Sequence, residues 1–429
     1  MASEYQVTDY RAYATSAVRE AENTEIVIDA IKRRTNFEVK VLSNSEQRYI
    51  NFKGLVTKYT DFHQVVSKNT AFVDVGAGSV QISLFDKNNL VVTENIPIGA
   101  VRVRDYLSMM GSKSGRLDKI ISEYVENDIV TFRNIYLNDK EIKNVIAVGE
   151  VINAVKKIVP ELDISEKIDK EQFDFIYNRI TSMSPQALAE QYGIPYERAT
   201  LMLPNITIYQ SFLNNCKAEE IYAPNVDFAE GIVASYIDEG SRTAFEHNFE
   251  EDIIACAKNI SKRYQGSKRR GETLEQISLT VFDSMKKVHG LGKRERLLLQ
   301  IATLLHDCGK YLNMVSVGEC SYHVVMNTEI IGLSHLEREM VANIVKYNHE
   351  DFAYYDEITK SGGIDKDAYL VVAKLTAILR VANGLDKTHK QKFKNVKTTV
   401  HEDELWIQGD TAENIALEKG LFWNAARFF

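Results

Sequence analysis

Proline and cysteine are scarce in this 429-residue chain, which holds 6 of the first and 4 of the second. So few prolines argue against long irregular linkers. Cys216, Cys256, Cys308 and Cys320 form no C-x-x-C pair. That excludes a zinc ribbon and a disulfide framework, and it fits a reducing cytoplasm. The opening Met1-Ala2-Ser3-Glu4-Tyr5 carries no signal-peptide core. No apolar run is read as reaching the ~18 residues that span a bilayer. A cytoplasmic location with no membrane partner is therefore expected. Cations are outnumbered too, 52 Lys and Arg against 60 Asp and Glu. Nucleic-acid binders are usually basic, so no nucleic-acid partner is expected. What is present is an ordinary globular composition, 45% hydrophobic and 26% charged. It excludes disordered and collagen-like chains. At roughly 150 residues per domain, the length suggests about three domains.

Up to about residue 240, strand and helix signals alternate. Arg11–Ala14 reads as a short strand, Ser16–Arg34 as one helix, Glu38–Leu42 as a Val-rich strand and Glu46–Lys58 as a helix. Ala71–Val75 is an apolar strand interrupted by Asp74, and Val80, Ile82 and Leu84 alternate along the next. Asp86–Asn89 has turn chemistry, and Leu90-Val91-Val92 resumes a strand. This mixture predicts an α/β architecture. From about Gly240 to Asn383 helical spacing dominates, most clearly at Leu297, Ile301, Leu304, Leu305 and Cys308. In the tail, Val396–Val400 and Leu405–Ile407 read as a hairpin and Ala412–Phe428 as a helix.

Asp74-Val75-Gly76-Ala77-Gly78-Ser79 lies between two strand signals. A dinucleotide loop needs G-x-G-x-x-G followed by a helix. A strand follows here, so that chemistry is excluded. Two readings stay open. A tight hairpin with unencumbered N–H groups can cradle a phosphate, with the Asp holding a metal-bound water. Alternatively, the segment is a plain β-hairpin with a capping Asp.

Neighbouring strings bear on that choice. Ala14-Thr15-Ser16-Ala17-Val18-Arg19-Glu20-Ala21-Glu22-Asn23, Leu42-Ser43-Asn44-Ser45-Glu46-Gln47-Arg48, the glycine loop and Ile96-Pro97-Ile98-Gly99-Ala100-Val101-Arg102 follow in that order. They resemble the blocks A-T-S-A-x-R-E-A-x-N, I-S-G-x-E-E-A, D-[IL]-G-G-G-S and L-G-[AS]-V-R of the exopolyphosphatase and guanosine pentaphosphate phosphatase family. Ala147-Val148-Gly149-Glu150, Arg198–Pro204 and Glu230-Gly231 match further blocks. The resemblance covers nearly the whole chain.

That resemblance implies an actin-like, ribonuclease-H-like pair of α/β lobes, then an all-α HD-type domain and a small C-terminal α+β unit. The expected divisions are 1–70 for a partial first lobe, 71–240 for the second, 241–390 for the helical domain and 391–429 for a partial last unit. The reaction implied is hydrolysis of a terminal phosphoanhydride of inorganic polyphosphate, releasing orthophosphate, with Mg²⁺ or Mn²⁺ offsetting charge. Guanosine pentaphosphate is the alternative substrate, and a homodimer is the expected assembly. Asp74, Gly76, Gly78 and Ser79 map to the second phosphate loop and Gly149 to a later one. Arg19 maps to a bidentate phosphate ligand; its other reading is a surface Arg paired with Glu22 or Asn23.

Departures from the pattern matter as much. The family's opening D-[IL]-G-S-N-[ST] loop has no counterpart. The chain is therefore expected to be a fragment or to start late, and its last unit to be cut short. Aligned without gaps, the water-activating second acid of the I-S-G-x-E-E-A block falls on Gln47, which accepts no proton at neutral pH. A one-residue slip gives the role to Glu46. Ala229 stands where Arg is usual, and Glu150 puts a carboxylate beside a phosphate loop. These departures favour a third reading, a catalytically impaired regulator that binds polyphosphate or nucleotide.

Leu304-Leu305-His306-Asp307-Cys308-Gly309-Lys310 is similar to the L-H-D-x-G-K string of HD-type phosphohydrolases. By that resemblance His306 and Asp307, with Asp386 or His349 as a later ligand, imply a divalent metal centre. The earlier histidine of such a centre is expected near Arg270–Leu274, which contains none. The other reading is an inherited scaffold whose His and Asp are structural. Lys387, Lys390, Lys392, Lys394 and Lys397 form one basic cluster, and Lys268, Arg269 and Arg270 another. Either these are solvated charges, or they line a groove for a polyanion.

Overall fold

The computed structural model describes residues 4, 7, 10–110, 117–137, 140–155, 158, 159, 162, 166–240, 247–359 and 363–429, with Met110, Glu150, Asp238, Glu239 and Thr359 described by backbone alone. The chain folds as two compact units, Met1–Phe249 and Glu250–Phe429.

A short parallel pair opens unit one, β1 (Ala12–Ala14) beside β2 (Val39–Val41). Between them run α1 (Ser16–Arg19) and α2 (Thr24–Thr35). The single helix expected over Ser16–Arg34 is broken. Thr24 Oγ1 donates to the carbonyls of Val18 and Ala21, at 2.5 and 2.7 Å, and such local side-chain bonds compete with the helical ladder. Glu20 lies in the break. α3 (Asn44–Lys58) starts at a capping box: the Ser43 hydroxyl accepts from Glu46 N, and the Glu46 carboxylate accepts from Ser43 N. α4 (Phe62–Val66) follows.

The main sheet is built from β3 (Thr70–Val75), β4 (Val80–Asp86), β5 (Asn89–Ile96), β6 (Asn144–Val148), β7 (Lys167–Asp169) and β8 (Glu220–Tyr222). Its order is β5-β4-β3-β6-β8-β7. β3, β4 and β5 form an antiparallel meander; β6 pairs parallel with β3 and β8 parallel with β6, and β7 closes the edge antiparallel. This is the ribonuclease-H-like lobe that the motifs imply. Lys87 and Asn88 turn β4 into β5 at φ 51° and 64°, the positive-φ pair of a tight hairpin.

The remaining helices of the unit are α5 (Ala100–Met110), α6 (Leu117–Tyr136), α7 (Glu150–Val155), α8 (Lys170–Thr181), α9 (Pro185–Tyr192), α10 (Tyr196–Cys216) and α11 (Phe228–Gly240). Strand alternation sorts the two faces of the sheet. Val73, Val75, Ile82 and Leu84 share a buried core with Ile121 and Ile129 of α6 and Ile206 and Phe212 of α10. Phe72, Asp74, Gln81 and Phe85 take the opposite face, where Phe52 of α3 meets Phe85 at 5.5 Å between ring centroids. α11 crosses α3 glycine to glycine. A Cβ on Gly54 would lie 2.8 Å from Gly231 N, and one on Gly231 would lie 2.3 Å from Ile50 O.

Unit two is mostly helical: α12 (Phe249–Arg263) leads into it, followed by α13 (Lys268–Ser284), α14 (Lys286–His289), α15 (Lys293–Leu305), a 3-10 turn at Cys308–Tyr311, α16 (Val317–Met326), α17 (His335–Tyr347), α18 (Tyr355–Thr359) and α19 (Lys366–Leu385). Leu297, Ile301, Leu304 and Leu305 are buried, as their spacing predicts. The expectation that no segment is long and apolar enough to cross a membrane is corrected by α19. It passes that test by length and composition, but 56% of its apolar window is buried inside the fold, so it is a core helix. The tail forms the hairpin β9 (Lys394–His401) and β10 (Glu404–Asp410), then α20 (Ala416–Ala426). Thr398 Oγ1 ties the hairpin to α13 through Thr280 O at 3.0 Å.

Candidate active site

Asp74 stands at the end of β3, partly buried beneath α3. Asn51 Nδ2 donates to its Oδ2 at 2.7 Å. Burial pushes its carboxyl up to about 6, against the opposing pull of the Asn51 bond and the nearby Arg48 guanidinium. Behind it, the Tyr209 hydroxyl lies 3.1 Å from the carbonyls of both Val73 and Val148. That fixes the ends of β3 and β6 side by side. Gly149, at φ 116°, turns the chain so closely that a Cβ there would lie 3.6 Å from Asp74 Oδ1.

The glycine loop is oriented by α5. Gly76 O accepts from Ala100 N at 2.9 Å and Ala77 O from Val101 N at 3.0 Å. Gly99 permits this approach, since a Cβ there would come 2.3 Å from Ala77 O. The carbonyls of Gly76 and Ala77 are thus turned to the helix N-terminus. A carboxylate lies against the loop at Gly78. Glu20 Oε1 is 3.0 Å from the place of a Gly78 Cβ. Arg102 holds it, with Nη2 3.2 Å from Glu20 Oε2 and Nε 3.1 Å from Gly78 O.

Glu46 and Gln47 sit together in the first turn of α3. Besides its part in the capping box, Glu46 pairs through Oε1 with Lys40 Nζ at 2.7 Å. Both of its oxygens are therefore occupied. Gln47 Oε1 is buried and makes no hydrogen bond, as are Gln81 Oε1 and Asn95 Oδ1. Gln81 is the register partner of both Asp74 and Asn95, so Asp74, Gln81 and Asn95 form a polar row on the face that α3 covers. Arg19 Nη1 and Nη2 donate to Leu42 O and Asn44 Oδ1, each at 2.5 Å. These bonds anchor the start of α3. The Glu150 side chain lies outside the described residues.

Comparison with known proteins decides the family. The Ppx/GppA phosphatase family model matches residues 1–239, and the model of Ppx/GppA phosphatase domain III matches 254–421. The chain belongs to the Ppx/GppA phosphatase family. A guanosine-5'-triphosphate,3'-diphosphate pyrophosphatase of Vibrio atlanticus is 18% identical over 86% of this chain and 72% of its own. Exopolyphosphatase 1 of Mycobacterium tuberculosis is 30% identical over 22% of this chain and 27% of its own. Across the curated relatives, matches span from 14% to 80% of the relative's length. Among solved structures, an exopolyphosphatase from Cytophaga hutchinsonii aligns with TM-score 0.48 and 17% identity, over 57% of this chain and 79% of that one.

In this Ppx/GppA chain, domain III gathers the His306–Asp307 pair around an arginine. Arg270 of α13 is 3% exposed. Its Nη1 meets His306 Nε2 at 2.5 Å and also donates to Asp307 Oδ2. Nη2 donates to Asn383 Oδ1 at 2.6 Å, and Nε lies 3.3 Å from Asp386 Oδ2. Among the described residues, no group of His, Cys, Asp and Glu is placed to hold a metal ion. The expected metal ligands His306, Asp307 and Asp386 all face the Arg270 guanidinium. His349 donates from Nε2 to His306 O at 2.7 Å. The basic clusters lose members to the interior as well. Besides Arg270, Lys392 is half-buried against Glu418 at 2.9 Å.

Asn51 has no place in the motif reading of the site, and Glu20 and Arg102 lie in matched strings that assign them no role. A signal existed for the first. Gln47 and Arg48 lie four and three residues before Asn51, which puts both beside it on α3, and polar residues on an inward face call for partners. Glu20 stands in a matched string but its contact with the loop was not legible there, because it reaches the loop only through the break after α1.

Proposed function

We propose that this Ppx/GppA chain hydrolyses the terminal phosphoanhydride of inorganic polyphosphate, releasing orthophosphate. The observation that carries this reading is Asp74, a carboxyl titrating at about 6 beside an amide-lined loop. Near neutral pH such a group is ionised and accepts a proton efficiently. Water attacks the terminal phosphorus, Asp74 takes the water's proton, and the bridging oxygen leaves with its electron pair on the shortened chain. The Asn51 bond holds Oδ2, and Oδ1 lies toward Gly149. The Ala77, Gly78 and Ser79 amides bind the terminal phosphate oxygens. Mg²⁺ suits this donor set: such ions bind through one or two carboxylates, substrate phosphates and retained waters. Asp74, Gln47 Oε1 and Gln81 Oε1 would hold it through its waters, which leaves the Asp74 carboxylate free to take a proton, and it would offset charge on the phosphates.

Guanosine pentaphosphate offers the same terminal bond and is the alternative substrate. A second reading, binding without turnover, draws on Gln47 and on the fully engaged Glu46. A homodimer in the cytoplasm belongs with either. The test is phosphate release from long-chain polyphosphate and from guanosine pentaphosphate with Mg²⁺. Release from polyphosphate supports the proposal; tight binding of polyphosphate without release supports the regulator.

A further inference from the structure

We propose that Arg270 is the resident cation of domain III, standing where a divalent ion would bind, and that this centre is closed to metal while position 270 is arginine. An imidazole nitrogen, two carboxylates and an amide oxygen surround the Arg270 guanidinium from the end of α15 and from α19. All are acceptors of the kinds that ligate divalent ions, set here around three guanidinium nitrogens and not as a preformed metal cluster. The orientation of His306 is the sharpest sign. Its Nδ1 lies 2.6 Å from Thr303 O, so the proton sits there and the Nε2 lone pair faces the centre. A metal-bound histidine is oriented in the same way, by a backbone carbonyl on its other nitrogen. Here the lone pair receives a guanidinium N–H.

Charge closes the argument. Arg270 faces Asp307 and Asp386, and Lys310 Nζ lies 2.7 Å from Asp307 Oδ2. Two cations therefore balance two carboxylates, and a divalent ion added to them would meet an excess of positive charge. A guanidinium also stays protonated and cannot ionise a bound water, so the centre fastens helices together and hydrolyses nothing. An imidazole at position 270 plus a metal bond of about 2 Å spans a reach comparable to arginine's, so Arg270→His should turn the clasp into a metal site.

The test uses the full chain, stripped with EDTA, exposed to Zn²⁺ or Mn²⁺, desalted, and read by elemental analysis and thermal unfolding. The parent is expected to retain no ion that His306→Ala removes, and its unfolding temperature to respond to EDTA no more than that variant's does. Arg270→His is expected to retain a stoichiometric ion and to melt several degrees higher with it, and adding His306→Ala should abolish both effects. A parent that holds an ion lost in His306→Ala overturns the proposal. So does a folded Arg270→His that retains none. Arg270→Lys, which keeps the charge, is expected to stay folded and metal-free, and metal uptake by it also overturns the proposal.

Discussion

Asn51 Nδ2 lies 2.7 Å from Asp74 Oδ2, and this bond joins α3 to the end of β3. It aims the carboxylate but does not offset its burial, since the carboxyl is still raised from 3.8 to about 6. A raised acid binds its proton more tightly in the folded state than in the unfolded state. Between about pH 4 and 6 the folded protein therefore holds the extra proton, and stability falls as pH rises through that window. Asp74→Asn removes this slope. Thermal melts from pH 4 to 7.5 are expected to show the variant more stable than the parent at pH 7.5, with the difference vanishing toward pH 4.

Gln47 cannot accept a proton, and its Oε1 lies buried without a partner. Gln47→Glu places a carboxylate in that spot. Phosphate release is expected to rise about tenfold or more, in line with the contribution of a positioned base. An unchanged rate would leave Asp74 as sole base and remove Gln47 from the chemistry.

Glu20 lies against Gly78 at the edge of the glycine loop while pairing with Arg102. A phosphate entering the loop meets that negative charge. Glu20→Ala frees both the edge and the guanidinium, so KM for polyphosphate is expected to fall about threefold to tenfold at low salt. The gain should shrink as salt screens the charges. A KM that rises instead would mean that Glu20 orders the loop.

Much of the fold was readable in the strings themselves. The alternation at Val73, Val75, Ile82 and Leu84 marked the sheet, and Leu297 to Leu305 marked a core helix, because burial imposes its period on sequence. The site was harder to read. Asp74 and its glycines announced a loop, yet the partners of Asp74 come from α3, and long-range pairing leaves no local period. Arg270 illustrates the limit most plainly. As a sequence it belongs to a basic run with Lys268 and Arg269. In the fold it alone turns inward, because α13 points position 270 at the acidic end of α15. Gly231 was read with Glu230 as part of a motif. In the structure it makes room for a helix crossing, and Glu230 caps α11 through Asp227.

That crossing carries its own prediction. A methyl at Gly231 would sit 2.3 Å from Ile50 O, which is backbone and cannot step aside. Gly231→Ala is expected to destabilise unit one by about 2 kcal/mol or more. Urea unfolding followed by circular dichroism would register it as a lower midpoint.

The most direct measurement of the central claim is the pH profile of phosphate release from long-chain polyphosphate with Mg²⁺, for the parent and for Asp74→Asn. If Asp74 accepts the proton, the parent's rate rises as pH passes through about 6 and then levels off, while the variant's rate drops at least about 100-fold and loses the inflection. A parent that releases no phosphate, or an Asp74→Asn variant that keeps the parent's rate and profile, would contradict it.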